Sequence, residues 1–206
     1  MPHAMRIHAH GGPEVLRWEE VDPGRPGPGQ VRIRQRAVGL NFIDVYHRTG
    51  LYPVTLPAVI GQEGAGEVVE VGPDVTSLRP GDRGAYAGLM GAYAEERLAP
   101  AARLVKLPDD IPEETAAAMM LKGMTAEYLL RRTHPVKPGQ TILFHAAAGG
   151  VGLIACQWAK ALGARVIGTV GSAEKAALAK AHGCDEVIVT REEDFVARVK
   201  ALTDGE

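Results

Sequence analysis

Residues 141–160 read Thr141-Ile-Leu-Phe-His-Ala-Ala-Ala-Gly-Gly-Val-Gly-Leu-Ile-Ala-Cys-Gln-Trp-Ala-Lys160, an apolar strand, a glycine-rich turn and an amphipathic helix. Ala146, Gly149 and Gly152 fall three residues apart. That spacing lets the turn be tight, the backbone approach an anion and the helix pack close to its sheet. The unpaired amides at the start of the helix are the groups that would meet a pyrophosphate. A glycine-rich turn needed only for close helix–sheet packing is the competing reading, and the neighbouring segments weigh against it.

Those segments repeat the pattern. After Gly163 come a second strand (Arg165-Val-Ile-Gly-Thr-Val), a helix from Ala173 to His182 stopped by Gly183, a third strand (Glu186-Val-Ile-Val-Thr) and a last helix from about Glu192. Strands alternating with helices predict a parallel, doubly wound sheet. Upstream, Asp109-Asp-Ile-Pro-Glu-Glu-Thr opens a helix with acidic residues in its first turn and an early proline. A second helix is expected over Thr125 to Arg132, ending before Pro135.

From Met1 to about Lys106 the pattern is different. Val31-Arg-Ile-Arg-Gln-Arg-Ala-Val alternates strictly, and Gly64-Ala-Gly-Glu-Val-Val-Glu-Val-Gly reads as a strand bounded by glycines. Glycine is heavily used, 25 of 206 residues, against an average near ~7%. With so many glycines beside short strands, a barrel-like β unit is expected.

Composition narrows the function classes. The formal net charge is -2, whereas nucleic-acid binders carry a basic excess. Arg32, Arg34 and Arg36 share one strand face and read as a solvated surface. The N-terminus lacks the apolar core of a secretory signal, and no run reaches the ~18–20 apolar residues of a membrane span; a soluble, cytoplasmic protein is expected. The two cysteines, Cys156 and Cys184, have no close spacing and are read as free thiols in ordinary packing. His8 and His10 are read as surface residues on a strand.

The end of the second strand bears on the nucleotide. An NAD site places a carboxylate ~20 residues beyond the turn to bind the ribose hydroxyls. Here Thr169-Val-Gly-Ser-Ala-Glu-Lys offers small residues, a hydroxyl and an ammonium. Ser172 and Lys175 suit a 2′-phosphate, while Glu174 lies past the strand tip, so NADP is favoured over NAD.

Asn41-Phe-Ile-Asp-Val-Tyr-His-Arg-Thr-Gly-Leu-Tyr-Pro, Gly61-Gln-Glu-Gly-Ala-Gly, Phe144-His-Ala-Ala-Ala-Gly-Gly-Val-Gly and Gly168-Thr-Val-Gly-Ser-Ala-Glu-Lys together resemble the zinc-free, zeta-crystallin-like quinone oxidoreductases of the medium-chain dehydrogenase/reductase superfamily. The resemblance runs along essentially the whole chain. It implies a GroES-like, β-rich catalytic domain over residues 1–124 and the first half of a Rossmann domain over 125–206, with NADPH in the cleft between them. It implies hydride transfer from NADPH to a quinone, with an enone or alkenal as the alternative acceptor; an inactive NADPH-binding or structural protein is the alternative from another class.

The same resemblance implies site residues. Asn41, Tyr46 and Tyr52 surround the reacting carbonyl, where the two phenols can donate; taken alone, each tyrosine also reads as an amphipathic ring packed at an edge. Phe42, Ile43, Asp44, Tyr46 and Tyr128 line the cofactor cleft. Gly150 and Val151 meet the pyrophosphate, beside the cofactor-binding turn residues Ala146, Gly149 and Gly152 read from the spacing, and Gly171, Ser172 and Lys175 meet the 2′-phosphate. Thr190 stands where close relatives often carry a tyrosine. Zinc members of the superfamily ligate metal with a cysteine where this chain has Asn41 and a histidine where it has Gln62, so no metal is expected; Glu63 alone cannot hold zinc. A homodimer is implied for complete members of the family.

The chain stops at Ala201-Leu-Thr-Asp-Gly-Glu, where a fourth parallel strand is expected to begin. In the order 3-2-1-4-5-6 the strand Thr141 to His145 would be central; here it is expected at an edge. The expectation is a C-terminally shortened chain that is marginally stable and binds NADPH weakly.

Overall fold

The computed structural model describes residues 1–205, and Glu206, the last residue of the second expected domain, lies outside the described residues. The chain divides into two compact units, Met1–Leu121 and Lys122–Glu206.

The first unit is built from antiparallel strands: β1 (His3–Ile7), β2 (Arg17–Glu20), β3 (Gln30–Gly39), β4 (Ala58–Val59), β5 (Glu63–Val71), β6 (Arg83–Ala87), β7 (Glu96–Pro100) and β8 (Val105–Lys106). They form a three-stranded sheet, β2-β1-β4, and a five-stranded one, β7-β3-β5-β6-β8. Neither sheet closes on itself, which corrects the barrel-like expectation. The register of β3 against β5 shifts between Arg32 and Ile33 and again between Gln35 and Ala37; such irregularities bend a sheet without closing it.

Alternation in β3 does what the sequence required: Val31 and Ile33 are fully buried. Val31 packs with Val68 and Leu78, and Ile33 with Tyr86 and Ala92. On the opposite face the three arginines are ion-paired across to neighbouring strands, Arg32 to Glu70 at 2.9 Å, Arg34 to Glu96 at 3.0 Å and Arg36 to Glu67 at 3.4 Å. Carboxylates on β5 and β7 thus neutralise the basic stripe. β1 ends at Ile7, so His8 and His10 are exposed in the bend that follows it rather than on a strand. His8 pairs with Glu19 at 2.6 Å.

A short helix, α1 (Phe42–Thr49), follows β3, and α2 (Glu113–Tyr128) carries the chain across the division between the units. The expected boundary between residues 124 and 125 also falls inside α2. One helix stands where two were expected, and it continues as a π-helical turn over Leu129–Thr133. Ala, Met and Leu on both sides of Gly123 are good helix formers, and a single interior glycine costs only ~1 kcal/mol.

In the second unit β9 (Thr141–Phe144), β10 (Arg165–Val170) and β11 (Glu186–Val189) alternate with α3 (Gly150–Ala161), α4 (Ala173–Ala181) and α5 (Phe195–Leu202). The strands are parallel in the order β11-β10-β9, so β9 is an edge of this sheet among the described residues. Helices α3 and α4 pack on β10, and α4 and α5 on β11. Their shared core includes Leu130, Ala155, Val166, Val170 and Ala179. α5 begins later than expected because Asp194 caps it, accepting the amides of Val196 at 2.9 Å and Ala197 at 3.3 Å.

Candidate functional site

In the second unit, the chain leaves β9 at His145 and turns through Ala146, which takes a left-handed backbone at φ 52°. That conformation costs a residue with a Cβ roughly 1–2 kcal/mol, and Gly149 N–H donating to the Ala146 carbonyl at 2.8 Å fixes it. Gly149 then caps α3 with no side chain bonded to the helix start. The first-turn amides of α3 therefore have no side-chain cap and carry the positive end of the helix dipole, the arrangement that attracts an anion.

Gly152 explains why the turn lies so close to the helix. A Cβ there would sit 2.5 Å from both the Ala146 and Ala147 carbonyl oxygens, so only glycine lets α3 start against the turn. The stem of Lys122, on α2, lies where a Cβ on Gly150 would be, 2.9 Å from that point.

Beyond β10 the chain passes Gly171 and enters α4, whose cap is Ser172; its hydroxyl accepts the Lys175 N–H at 3.4 Å. A Cβ on Gly171 would meet nothing within 4 Å, which leaves room at the strand tip. Lys175, Glu174 and Leu178 line an open groove of about 530 Å³ that also reaches Ala148 of the glycine turn. The groove thus joins the turn to the α4 start. Thr190, just after β11, is exposed at the surface, and its hydroxyl donates to the Val170 carbonyl at 3.2 Å. Tyr128 ends α2 and is half-exposed.

Ala148, Leu178 and Lys122 were not singled out in the sequence. His145 was not either, although its position at the carboxyl end of a strand before the turn is a ligand-facing position in open α/β sheets. Its ring nitrogen shares a hydrogen bond with the buried Thr169 hydroxyl at 3.0 Å, and its ring stands edge-on to Phe195.

In the first unit, α1 carries the other candidates. Asn41 is its cap, and the Asp44 carboxylate accepts the Asn41 N–H at 2.9 Å. The same oxygen of Asp44 accepts the Tyr93 hydroxyl at 2.8 Å. Burial, above all, raises the Asp44 carboxyl above its usual range, while the Tyr93 hydrogen bond opposes that shift. Burial and the bond to Asp44 push the Tyr93 phenol well up. The Asn41 side-chain amide donates to Glu63 at 2.8 Å, and the other Glu63 oxygen accepts the Leu121 N–H at 2.6 Å. Asn41 and Glu63 are thereby tied to each other at the positions where metal ligands would be sought.

The exposed side of α1 is aromatic. Gly50 turns the chain so that the Tyr52 N–H reaches the Tyr46 carbonyl at 3.1 Å. This sets the Tyr46 ring 5.2 Å from Tyr52 and 5.3 Å from Phe42. Phe42 is 70% exposed and Tyr52 44%, so these rings form an exposed aromatic face. On the same helix Asp44 is buried and Ile43 half-buried.

Residues 27–109 match the alcohol dehydrogenase GroES-like domain family, and residues 150–206 match the family described as zinc-binding dehydrogenase. A quinone oxidoreductase of Pseudomonas aeruginosa is 56% identical over 207 residues, covering 100% of this chain and 64% of that protein. The chain belongs to the medium-chain dehydrogenase/reductase superfamily, and within it is similar to the quinone oxidoreductases. The crystal structure of the Escherichia coli quinone oxidoreductase complexed with NADPH superposes with a TM-score of 0.96 at 50% identity, over 98% of this chain and 63% of that one. A 2-haloacrylate reductase of a Burkholderia species is 49% identical over 212 residues, covering 100% of this chain and 64% of that protein. The chain therefore spans about 64% of the length of these two curated relatives.

Among the described residues, no group of three or more His, Cys, Asp or Glu side chains is placed to hold a metal ion, and no helix is long and apolar enough to cross a membrane.

Proposed function

We propose that the complete protein reduces a quinone with NADPH, without zinc. The observation that carries this reading is the α3 start, a helix terminus without a side-chain cap from which a groove leads to Lys175. A pyrophosphate on the α3 amides and a 2′-phosphate beside Ser172 and Lys175 use backbone donors at one end and an ammonium at the other. Ala146, Gly149, Gly150, Val151, Gly152 and Gly171 shape that path, and Thr190 borders it. The complex of the Escherichia coli relative with NADPH supports the choice of nucleotide. Residues 1–124 are assigned as the catalytic domain and 125–206 as the nucleotide-binding one.

When bound, the nicotinamide supplies the hydride, and the acceptor takes a proton as well. Tyr46 and Tyr52 are assigned as donors to the quinone oxygen, where their hydrogen bonds strengthen as negative charge develops. Asn41 holds the start of α1 in place through Glu63. Phe42, Ile43, Asp44 and Tyr128 are assigned to the nicotinamide side. The bond between Asn41 and Glu63 supports a site working without a Lewis acid, and an already electrophilic substrate is what such a site needs. The unbridged thiols fit a reducing, cytoplasmic setting. The homodimer rests on the family resemblance alone.

A second reading is favoured by the 2-haloacrylate reductase relative: the acceptor is an activated alkene, and hydride goes to carbon rather than to a quinone. Loss of reduced-nicotinamide absorbance, followed with a benzoquinone, with an enone and with 2-chloroacrylate, separates the two readings. Oxidation of NADPH that depends on the benzoquinone is expected. NADPH that protects the protein from unfolding while none of the three acceptors is reduced would leave a binding protein instead.

A further inference from the structure

Cys156 and Cys184, the chain's two cysteines, are 28 positions apart in sequence, yet they share one core. Cys156 is fully buried on α3, and Cys184 is 6% exposed in the turn between α4 and β11. Two backbone features bring them together. Gly183, at φ 102°, passes so close to α3 that a Cβ on it would lie 2.9 Å from the Cys156 carbonyl oxygen. Across the core, Gly168 of β10 leaves room for the Cys184 sulfur, which would be 2.7 Å from a Cβ at that position. The Cys184 N–H donates to the Ala179 carbonyl at 3.2 Å, holding the turn against α4. Nothing in the proposed function uses either thiol.

We propose that Cys156 and Cys184 form a reversible disulfide when the folded protein meets a hydroperoxide. A disulfide needs two Cα atoms ~4.4–6.8 Å apart with the Cβ atoms turned toward each other, and the close pass of Gly183 over α3 is the feature that supplies such an approach. The two thiols interact directly, and sharing one proton between them lowers the first ionisation, on Cys184, while it raises the second, on Cys156. The thiolate is the reactive form. With hydrogen peroxide, Cys184 attacks one oxygen, the O–O bond breaks and the other oxygen leaves as water, giving a sulfenic acid on Cys184. The Cys156 sulfur then attacks the Cys184 sulfur, the S–O bond breaks, the S–S bond forms and a second water leaves. Two thiols lose two electrons and two protons, and one hydrogen peroxide takes them up as two waters. Burial of Cys156 makes it the resolving thiol and keeps it from larger oxidants. The bond would tie α3 to the α4–β11 turn.

Hydrogen peroxide added to the native 206-residue chain at a small molar excess tests this. The expected result is loss of both titratable thiols, an intact mass lower by two hydrogens, a non-reducing peptide map joining the Cys156 and Cys184 peptides, and full reversal by dithiothreitol. Cys184→Ser should leave Cys156 unreacted under the same conditions, and Cys156→Ser should leave Cys184 as a sulfenic acid that a dimedone probe captures. The peptide map does not depend on either variant folding. Disulfide-linked dimers, sulfinic acid on one thiol with the other free, or thiols that react only after denaturation would each overturn the proposal.

Discussion

Two of the helices that follow strands, α1 and α3, surround their starts with different groups. At α1 the start is filled with side chains: Asp44 takes the Asn41 N–H and the Tyr93 hydroxyl, and the Asn41 amide is held by Glu63. At α3 no side chain caps the end, and glycine at 149, 150 and 152 strips the turn to backbone. Buried polar groups around the α1 start fix it in place. A helix start made of bare amides is satisfied by water or by an anion. The contrast tells apart a turn that positions neighbouring side chains, here Phe42, Tyr46 and Tyr52, from one that the proposed function has binding with its own backbone.

The sharpest way to break this comparison is Gly152→Val. The new side chain would collide with two backbone carbonyls at 2.5 Å, and backbone cannot swing aside as a flexible side chain can. A loss of about 3 kcal/mol is expected, read from the urea midpoint, together with loss of NADPH-dependent protection against unfolding. A variant that keeps both would show that α3 does not depend on its close start. Next in size comes the sealed end. Glu63 is fully buried and accepts from Asn41 and from the Leu121 amide. Glu63→Ala leaves both donors without that carboxylate and should cost about 3 kcal/mol; Glu63→Gln, which keeps the shape and one acceptor, should cost clearly less. Equal losses for the two variants would mean that volume, not hydrogen bonding, matters at this position.

The comparison also has a pH axis. Burial chiefly raises the folded-state pKa of Asp44 above its ordinary value of 3.8. Below that value the carboxyl is protonated in both states. As pH rises from there to the raised folded value, the unfolded chain gives up the proton while the folded chain keeps it, so stability falls across that window and stays lower above it. Asn cannot ionise and can still accept the Tyr93 hydroxyl. Asp44→Asn should therefore gain on the native protein as pH rises from 3.8, with the largest difference near neutrality. Urea midpoints that run parallel across this range would show that Asp44 is not penalised by its burial.

What could be read in advance follows the same division. The α3 end was legible because everything that makes it is local: an apolar run, three small residues at fixed spacing and an amphipathic helix within twenty positions. The sealed end was not. Glu63 lies 22 positions from Asn41, and Tyr93 lies 49 from Asp44, and no spacing rule joins residues that meet only when β5 and the segment after β6 pack beside α1. Local signals also misled where several were equivalent. Glu192, Glu193 and Asp194 are all acidic, yet only the third caps α5, and the alternation that found β3 carried no information on whether its sheet would close. The thiol pair shows the same limit: 28 positions of sequence hid a contact made by two glycines.

The smallest effect tests the open end at its far side. Lys175 stands in the first turn of α4, exposed, in a groove that it shares with Glu174. One ammonium facing one phosphate at a solvated surface contributes about 1 kcal/mol, and reversing the charge adds repulsion to the loss. Lys175→Glu should therefore weaken NADPH binding by about tenfold, or ~1.4 kcal/mol, while NADH, which lacks the 2′-phosphate, binds unchanged. Dissociation constants from nicotinamide fluorescence give the ratio without requiring turnover. The Ser172 cap is made by its hydroxyl and the Lys175 backbone, so the substitution should leave α4 in place, and a melting point within a degree or two of the native one would confirm it. If the ratio of NADPH to NADH affinity stays fixed while α4 remains folded, the 2′-phosphate does not lie beside Lys175. The α3 amides would then hold a pyrophosphate with no choice between the two nucleotides.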